Sequence, residues 1–185
     1  MRRPTVFESV DKQPTLTGRQ VRLRARCMED APDEYRWRTD EELCRLDATE
    51  PFTGTYDDFY QRFSIEIEYP GLTYSFAVET MDGEHIGDCS LFHIDYLSDN
   101  AEMGIIIGER KYWDRSYGTD AILTFLNHIF LISDLNMILL RTLDWNTRAQ
   151  ECFRKCGFEY CGKLIKEEHT FIIMGITRAK AMQTG

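Results

Sequence analysis

AEMGIIIGERKYWDRSYGTDA, residues 101–121, joins two structural signals through a polar loop. Residues 103–107 form an apolar run of strand length. From Gly118 a helical periodicity begins, with Ile122, Phe125, Leu126, Ile129 and Phe130 on one face. Between them stand Arg110, Lys111 and Arg115. A strand that feeds a helix N-terminus through a short polar loop is suited to an anion. Unpaired backbone N–H groups and the positive end of the helix dipole both point at the loop.

Elements on either side extend this strand–loop–helix unit. Residues 20–26 (QVRLRAR) alternate apolar and polar, as a strand does. Residues 29–46 are charged and helical in character, with a break near Thr39-Asp40, and 56–69 predict a helix stopped by Pro70-Gly71. Residues 73–79 and 85–96 predict strands joined by the turn Met81-Asp82-Gly83-Glu84. Beyond the helix at 118–132, residues 137–143 read as a buried strand, and 147–155 as a helix with Gly157 in C-cap position. Residues 158–165 and 169–177 form a last strand pair. This order predicts an α/β fold: a mixed, mostly antiparallel sheet of about seven strands flanked by helices. No linker splits the chain, so the expectation is one domain over 18–178, with tails at 1–17 and 179–185.

The 185 residues suffice for one sizeable core, and 43% hydrophobic with 29% charged residues is ordinary for a globular protein. A net charge of −9 argues against non-specific nucleic-acid binding and leaves room for a cationic substrate. The most apolar stretch, 121–132, is too short to cross a bilayer, so no membrane role is expected. Cys27, Cys44, Cys89, Cys152, Cys156 and Cys161 contain no CxxC pair, and MRRPTVFESV lacks the apolar core of a secretion signal. Scattered thiols in a reducing cytoplasm are the expectation. Cys152, Cys156, Cys161 and His169 match no familiar zinc spacing, and no metal is expected.

Two motifs carry a resemblance. The loop Trp113-Asp114-Arg115-Ser116-Tyr117-Gly118-Thr119 is similar to a W-G-x-G-Y-G-T-E-A pattern. Asn146 to Phe158, NTRAQECFRKCGF, is similar to N-x-x-A-x-x-x-Y-x-x-x-G-F. In this order, with AEMG ahead of them, they resemble the GCN5-related N-acetyltransferase (GNAT) superfamily over nearly the whole chain, its RimJ/RimL-type and polyamine-acetylating members most. The resemblance implies a GNAT-like acyl-CoA N-acyltransferase fold, acetyl-CoA as co-substrate, and an amine acceptor, either a small molecule or a protein N-terminus. Its loop would hold the coenzyme A pyrophosphate through Arg110, Lys111, Trp113, Asp114, Arg115, Ser116, Tyr117, Gly118 and Thr119. Ile105, Ile106 and Ile107 would pair with the pantetheine arm through their backbone, and Asn146, Ala149 and Phe153 would complete the cofactor site. A homodimer is one expectation for the assembly.

The chain departs from the family pattern at three places. Asp114 and Ser116 replace glycines, which allow close approach to phosphate and unusual φ. Arg110, Lys111 and Arg115 are read as compensation, each cation adding about 0.5–1 kcal/mol beside a phosphate if exposed. Phe153 stands where relatives often carry a tyrosine acting as general acid, which leaves water, Cys152 or Tyr112 for that task.

Acyl transfer to an amine needs a proton removed from a group of reference pKa about 10.4. Glu102, in AEMG, is the expected base, acting directly or through water. The other reading of Glu102 is a strand glutamate paired with an arginine. Backbone N–H groups after it, near 105–107, would stabilise the oxyanion. Asn146 is read either as a pantetheine contact or as a helix N-cap. Residues 30–58 hold ten acidic residues against Arg36, Arg38 and Arg45, an acidic mouth for a cationic amine or merely solvated helix faces. Tyr35, Trp37 and Tyr56 are the expected acceptor walls. An alternative to catalysis is a coenzyme-A-binding module that kept the fold.

Overall fold

The computed structural model describes residues 13–184; the greater part of the expected N-terminal tail, 1–12, lies outside them. The elements, in chain order, are β1 (Leu16–Thr17), β2 (Val21–Ala25), α1 (Ala31–Arg38), α2 (Glu41–Asp47), α3 (Tyr56–Glu68), β3 (Tyr74–Thr80), β4 (His85–Asp95), β5 (Asn100–Ile107), α4 (Tyr117–Ile132), β6 (Met137–Leu143), α5 (Thr147–Lys155), β7 (Glu159–Lys166), β8 (His169–Thr177) and α6 (Arg178–Thr184). The strands form one eight-stranded sheet, ordered β1-β2-β3-β4-β5-β6-β8-β7. The eighth strand is the two-residue β1, and α6 occupies residues expected as a C-terminal tail. Every neighbouring pair is antiparallel except β5–β6.

The periodic face of α4 makes the core. Ile122, Phe125 and Ile129 are fully buried, in one cluster with Leu23, Phe76, Cys89 and Met103 of the sheet. Asp120 ties the helix to the chain entering β2, its carboxylate accepting from the N–H groups of Arg19, Gln20 and Val21. The break between α1 and α2 falls where expected, because Asp40 caps α2 by accepting from the Leu43 N–H. Thr55 and Asp58 form a capping box that starts α3.

The parallel pair β5–β6 positions the site. Their register runs only from Asn100↔Met137 to Glu102↔Leu139. Beyond it β5 continues to Ile107 beside β4 alone, while β6 continues to Leu143 beside β8 alone. The two strands part like a V, and one edge of the β5 backbone from Met103 onward loses its ladder partner. Backbone polar groups rarely stay unpaired unless something else meets them.

Candidate active site

The parting of β5 and β6 opens into a cavity of about 230 Å³. Ile105, Ile106 and Ile107 form its strand wall, and Tyr112, Trp113, Asp114 and Ser116 its loop wall. Gly118 and Thr119 contribute the start of α4; Asn146, Arg148, Ala149, Cys152, Phe153 and Lys155 contribute α5 and its cap. Leu43, Leu46 and Asp47 of α2 close the far side.

The N-terminus of α4 has no side-chain cap, so its first-turn N–H groups remain open to an anion. The loop before it turns through two left-handed residues, Asp114 at φ 57° and Ser116 at φ 67°. These are the two positions where the motif calls for glycine. The substitution leaves the backbone path in place, at the cost of non-glycine residues in αL. Trp113 pins the loop to the strand, its Nε1–H donating to the Ile107 carbonyl at 2.6 Å.

The loop cations do not face the cavity. Arg110 is clamped by Asp40, at 2.7 and 2.9 Å, and by Glu42, at 2.9 and 2.8 Å. Lys111 pairs with Glu84 at 2.6 Å. Arg115 and Tyr117 are not among the cavity walls, and the Tyr117 ring packs on Tyr112 at 4.6 Å. The cations at the cavity are Arg148 and Lys155, neither of which pairs with a carboxylate among the described residues. The Arg148 guanidinium lies 3.5 Å over the Trp113 ring, which holds it beside the loop. Both residues sit inside the second motif. They stand seven residues apart and so share one face of α5, and that spacing was the signal for them.

Asn146 is the N-cap of α5 and also borders the cavity. It is 8% exposed, its Oδ1 accepts from the Ala149 N–H at 3.2 Å as an N-cap, and it lines the cavity. Phe153 packs on Phe158 and anchors α5 to the core. Cys152 borders the cavity with its sulfur 3.4 Å from Thr119 Oγ1. Hydrogen bonds from Cys156 and Thr119 lower its thiol against the opposing effect of burial, while the buried Cys156 is pushed up. Tyr112 lines the cavity, yet its hydroxyl donates to Glu84 at 2.7 Å.

Glu102 is the last β5 residue paired to β6. Arg141 grips its two oxygens at 2.5 and 2.9 Å, and His93 Nδ1 lies 3.2 Å away. It is not among the cavity walls. The expected acceptor aromatics also lie elsewhere. Trp37 is 2% exposed, packed on His85, with its Nε1–H donating to Glu109 at 3.1 Å. A Cβ on Gly108 would sit 2.2 Å from that indole, so the loop can start only with glycine there. Tyr35 and Tyr56 meet edge-on at 5.3 Å in a cluster with Phe52 and Phe59. The α2 residues that line the cavity instead, Leu43, Leu46 and Asp47, carried no motif.

Among the described residues no group of three or more metal-ligating side chains is placed to hold an ion, and no helix is long and apolar enough to cross a membrane. An elongated anion carrying amide groups fits this cavity. Open helix N–H groups and two unpaired cations suit its phosphates, and the unpaired β5 edge suits its amides.

A family model described as the acetyltransferase (GNAT) domain matches residues 20–159. The chain belongs to this GNAT family. Its reaction class is acetyl transfer from acetyl-CoA. The fold is similar to spermidine N-acetyltransferase from Vibrio cholerae, solved with CoA and spermine (TM-score 0.78, 24% identity, 88% of this chain and 98% of that one). It is similar too to an aminoglycoside acetyltransferase solved with coenzyme A (TM-score 0.75, 17% identity, covering 89% and 98%). Mycobacterium smegmatis RimJ, solved with CoA-disulfide, gives a TM-score of 0.74 at 21% identity, covering 92% of each chain. At these identities the likeness is one of fold. Comparison with curated protein sequences gives no significant match.

Proposed function

We propose that this GNAT protein moves the acetyl group of acetyl-CoA to a primary amine, a small cationic or polyamine-like molecule or a protein N-terminal amine, by direct attack. The observation that carries the reading is the parted β5–β6 pair beside an uncapped helix N-terminus. Pantetheine would lie along the free edge of β5, at Ile105 to Ile107, as an added strand. N–H groups within 103–107 would then stabilise the oxyanion. Glu102, at the apex of the V, takes the ammonium proton through water. The register supports this, since Glu102 shares a sheet face with Gly104 and Ile106; its contact with Arg141 fixes the carboxylate in place. A RimJ/RimL-type placement and a reducing, cytoplasmic setting accord with the motifs and with six free thiols.

The rival reading, a coenzyme-A-binding module with little catalysis, has its own support. Phe153 brings no hydroxyl, and the Tyr112 hydroxyl is engaged by Glu84. A panel of amines with acetyl-CoA separates the two. Thiol release is expected with cationic amines, and Glu102→Gln is expected to slow it by about 10²-fold, the low end for a general base. Tight binding of coenzyme A by calorimetry, with no turnover of any amine, would establish the module instead.

A further inference from the structure

Beside Glu102 the strand β4 carries an irregularity that neither sequence motif includes. Phe92 pairs with Glu102, and the next register pair is Asp95 with Asn100. His93 and Ile94 therefore stand on β4 against Ala101 alone on β5, the two-against-one count of a β-bulge. Strict alternation would turn His93 to the core side of the sheet with Ala101, which is fully buried. Instead Ile94 packs against the core, and His93, at φ 49°, turns out of it. Its side chain is 70% exposed, and Nδ1 comes within 3.2 Å of Glu102 Oε2. The Phe92 ring meets the imidazole edge-on at 5.0 Å. A Cβ on Gly104 would lie 3.3 Å from that ring, so Phe92 stands on the face that Glu102 shares with Gly104.

A left-handed residue other than glycine is strained, and a bulge interrupts a ladder; both persist where they re-aim a side chain. A pair this exposed adds too little stability to account for them. The contact has a chemical consequence instead. Carboxylate oxygens only accept, so the ring hydrogen belongs on Nδ1, and Nε2 keeps its lone pair. Nε2 makes no hydrogen bond among the described residues. Glu102 is placed differently. Arg141 donates to both of its oxygens, at 2.5 and 2.9 Å, so a proton on either one would displace a hydrogen bond.

We propose that His93 is the proton acceptor of the acetyl-transfer step and that Glu102 is the residue that positions it. The ammonium gives a proton to a water, and that water gives one of its own to Nε2. The amine nitrogen keeps the electron pair with which it attacks the thioester carbonyl. Glu102 stays charged and stabilises the imidazolium, which then returns the Nε2 proton to solvent. The inference rests on the reading that puts proton removal at Glu102, and it moves the proton's resting place from the carboxylate to the imidazole. The charged groups facing His93 are Glu102 on β5 and, behind it, Arg141 on β6; Asp95, farther along β4, is turned to the N–H groups of Leu97 and Ser98. The rate should fall on the acid side, where the imidazole is already protonated and cannot accept.

His93→Asn tests this, because asparagine tolerates the left-handed backbone and its amide still donates to Glu102, yet it takes no proton. With an amine that the wild type acetylates, kcat is expected to drop about 10²-fold with KM within about twofold, and the acid limb of the kcat–pH profile to disappear. In His93→Gly, which suits the same φ, added imidazole is expected to restore part of kcat. Unchanged kcat in His93→Asn, or a retained acid limb, overturns the proposal. NMR of the imidazole nitrogens gives a second readout that needs no turnover. The His93 signal, identified by its loss in His93→Asn, should show the hydrogen on Nδ1 and should titrate about 0.5 pH unit lower in Glu102→Gln. A hydrogen on Nε2, or a midpoint that does not move, overturns the pairing whether or not any amine is acetylated. No turnover of any amine, with both NMR signatures present, sinks the acetyltransferase reading rather than the pairing.

Discussion

The loop and the helix α5 that border the cavity both carry positive charge and use it in opposite ways. On the loop wall, Arg110 and Lys111 are occupied by Asp40, Glu42 and Glu84, acids that come from α2 and from the turn before β4. On the α5 wall, Arg148 and Lys155 meet no carboxylate among the described residues, and Arg148 is held flat on Trp113. The loop cations therefore fix the loop, and the helix cations remain for a ligand. A charge near an anion site in sequence serves that site only if no acid elsewhere in the fold claims it first.

The largest expected effect follows from the α5 wall. Arg148→Ala should weaken coenzyme A binding about 10- to 30-fold, as expected for one charge-assisted contact to phosphate worth roughly 1.5–2 kcal/mol. Arg148→Lys should recover only part of this, since lysine lacks both the fork and the flat stack on Trp113. Titration calorimetry at two salt concentrations would check it, because taking a cation away from a phosphate also flattens the salt dependence of binding. Unchanged affinity in Arg148→Ala would reverse the roles of the two walls.

The two walls also show what the sequence made legible. The β5 strand, the α4 stripe and the Asn146 cap follow from spacings of a few residues, where covalent geometry dictates which side chains share a face. Ile105, Ile107, Gly118, Asn146 and Ala149 came together at the cavity for that reason. The partners of Arg110 lie 68 and 70 positions away, and local spacing says nothing about them. Trp37 lies away from the cavity walls for a related reason. An aromatic on an amphipathic helix faces whatever the helix packs on, and here that is His85 and Gly108.

A middle-sized effect probes the strain on the loop wall. Ser116 at φ 67° carries a left-handed cost of roughly 1–2 kcal/mol, and glycine adds back about 0.5–1 kcal/mol through the entropy it loses on folding. Ser116→Gly should thus stabilise the protein by about 0.5–1 kcal/mol in urea unfolding. Asp114→Gly should stabilise less, because aspartate tolerates αL better than serine does. It should instead tighten coenzyme A by removing a negative charge from the cavity wall. If Ser116→Gly destabilises, the hydroxyl holds the loop through a contact stronger than its backbone strain.

The smallest effect is the sharpest test of the contrast. Arg110 bridges the loop to the start of α2, and its hydrogen bonds are the leading cause that holds Asp40 below the usual carboxylate range. Its side chain is 45% exposed, so solvent screens the pair and its share of stability stays under about 1 kcal/mol. Arg110→Ala should leave coenzyme A affinity within about twofold, against the tenfold or greater loss in Arg148→Ala. The sign with pH is set by Asp40. Its carboxyl is depressed in the folded state, so the contribution is present above the unfolded value of about 3.9 and disappears as pH falls through the lower folded value. Wild type and Arg110→Ala should therefore differ in stability at pH 7 and converge in acid. A loss of coenzyme A affinity in Arg110→Ala as large as in Arg148→Ala would mean that a bound phosphate pulls Arg110 away from Asp40, and the two walls would be doing the same work.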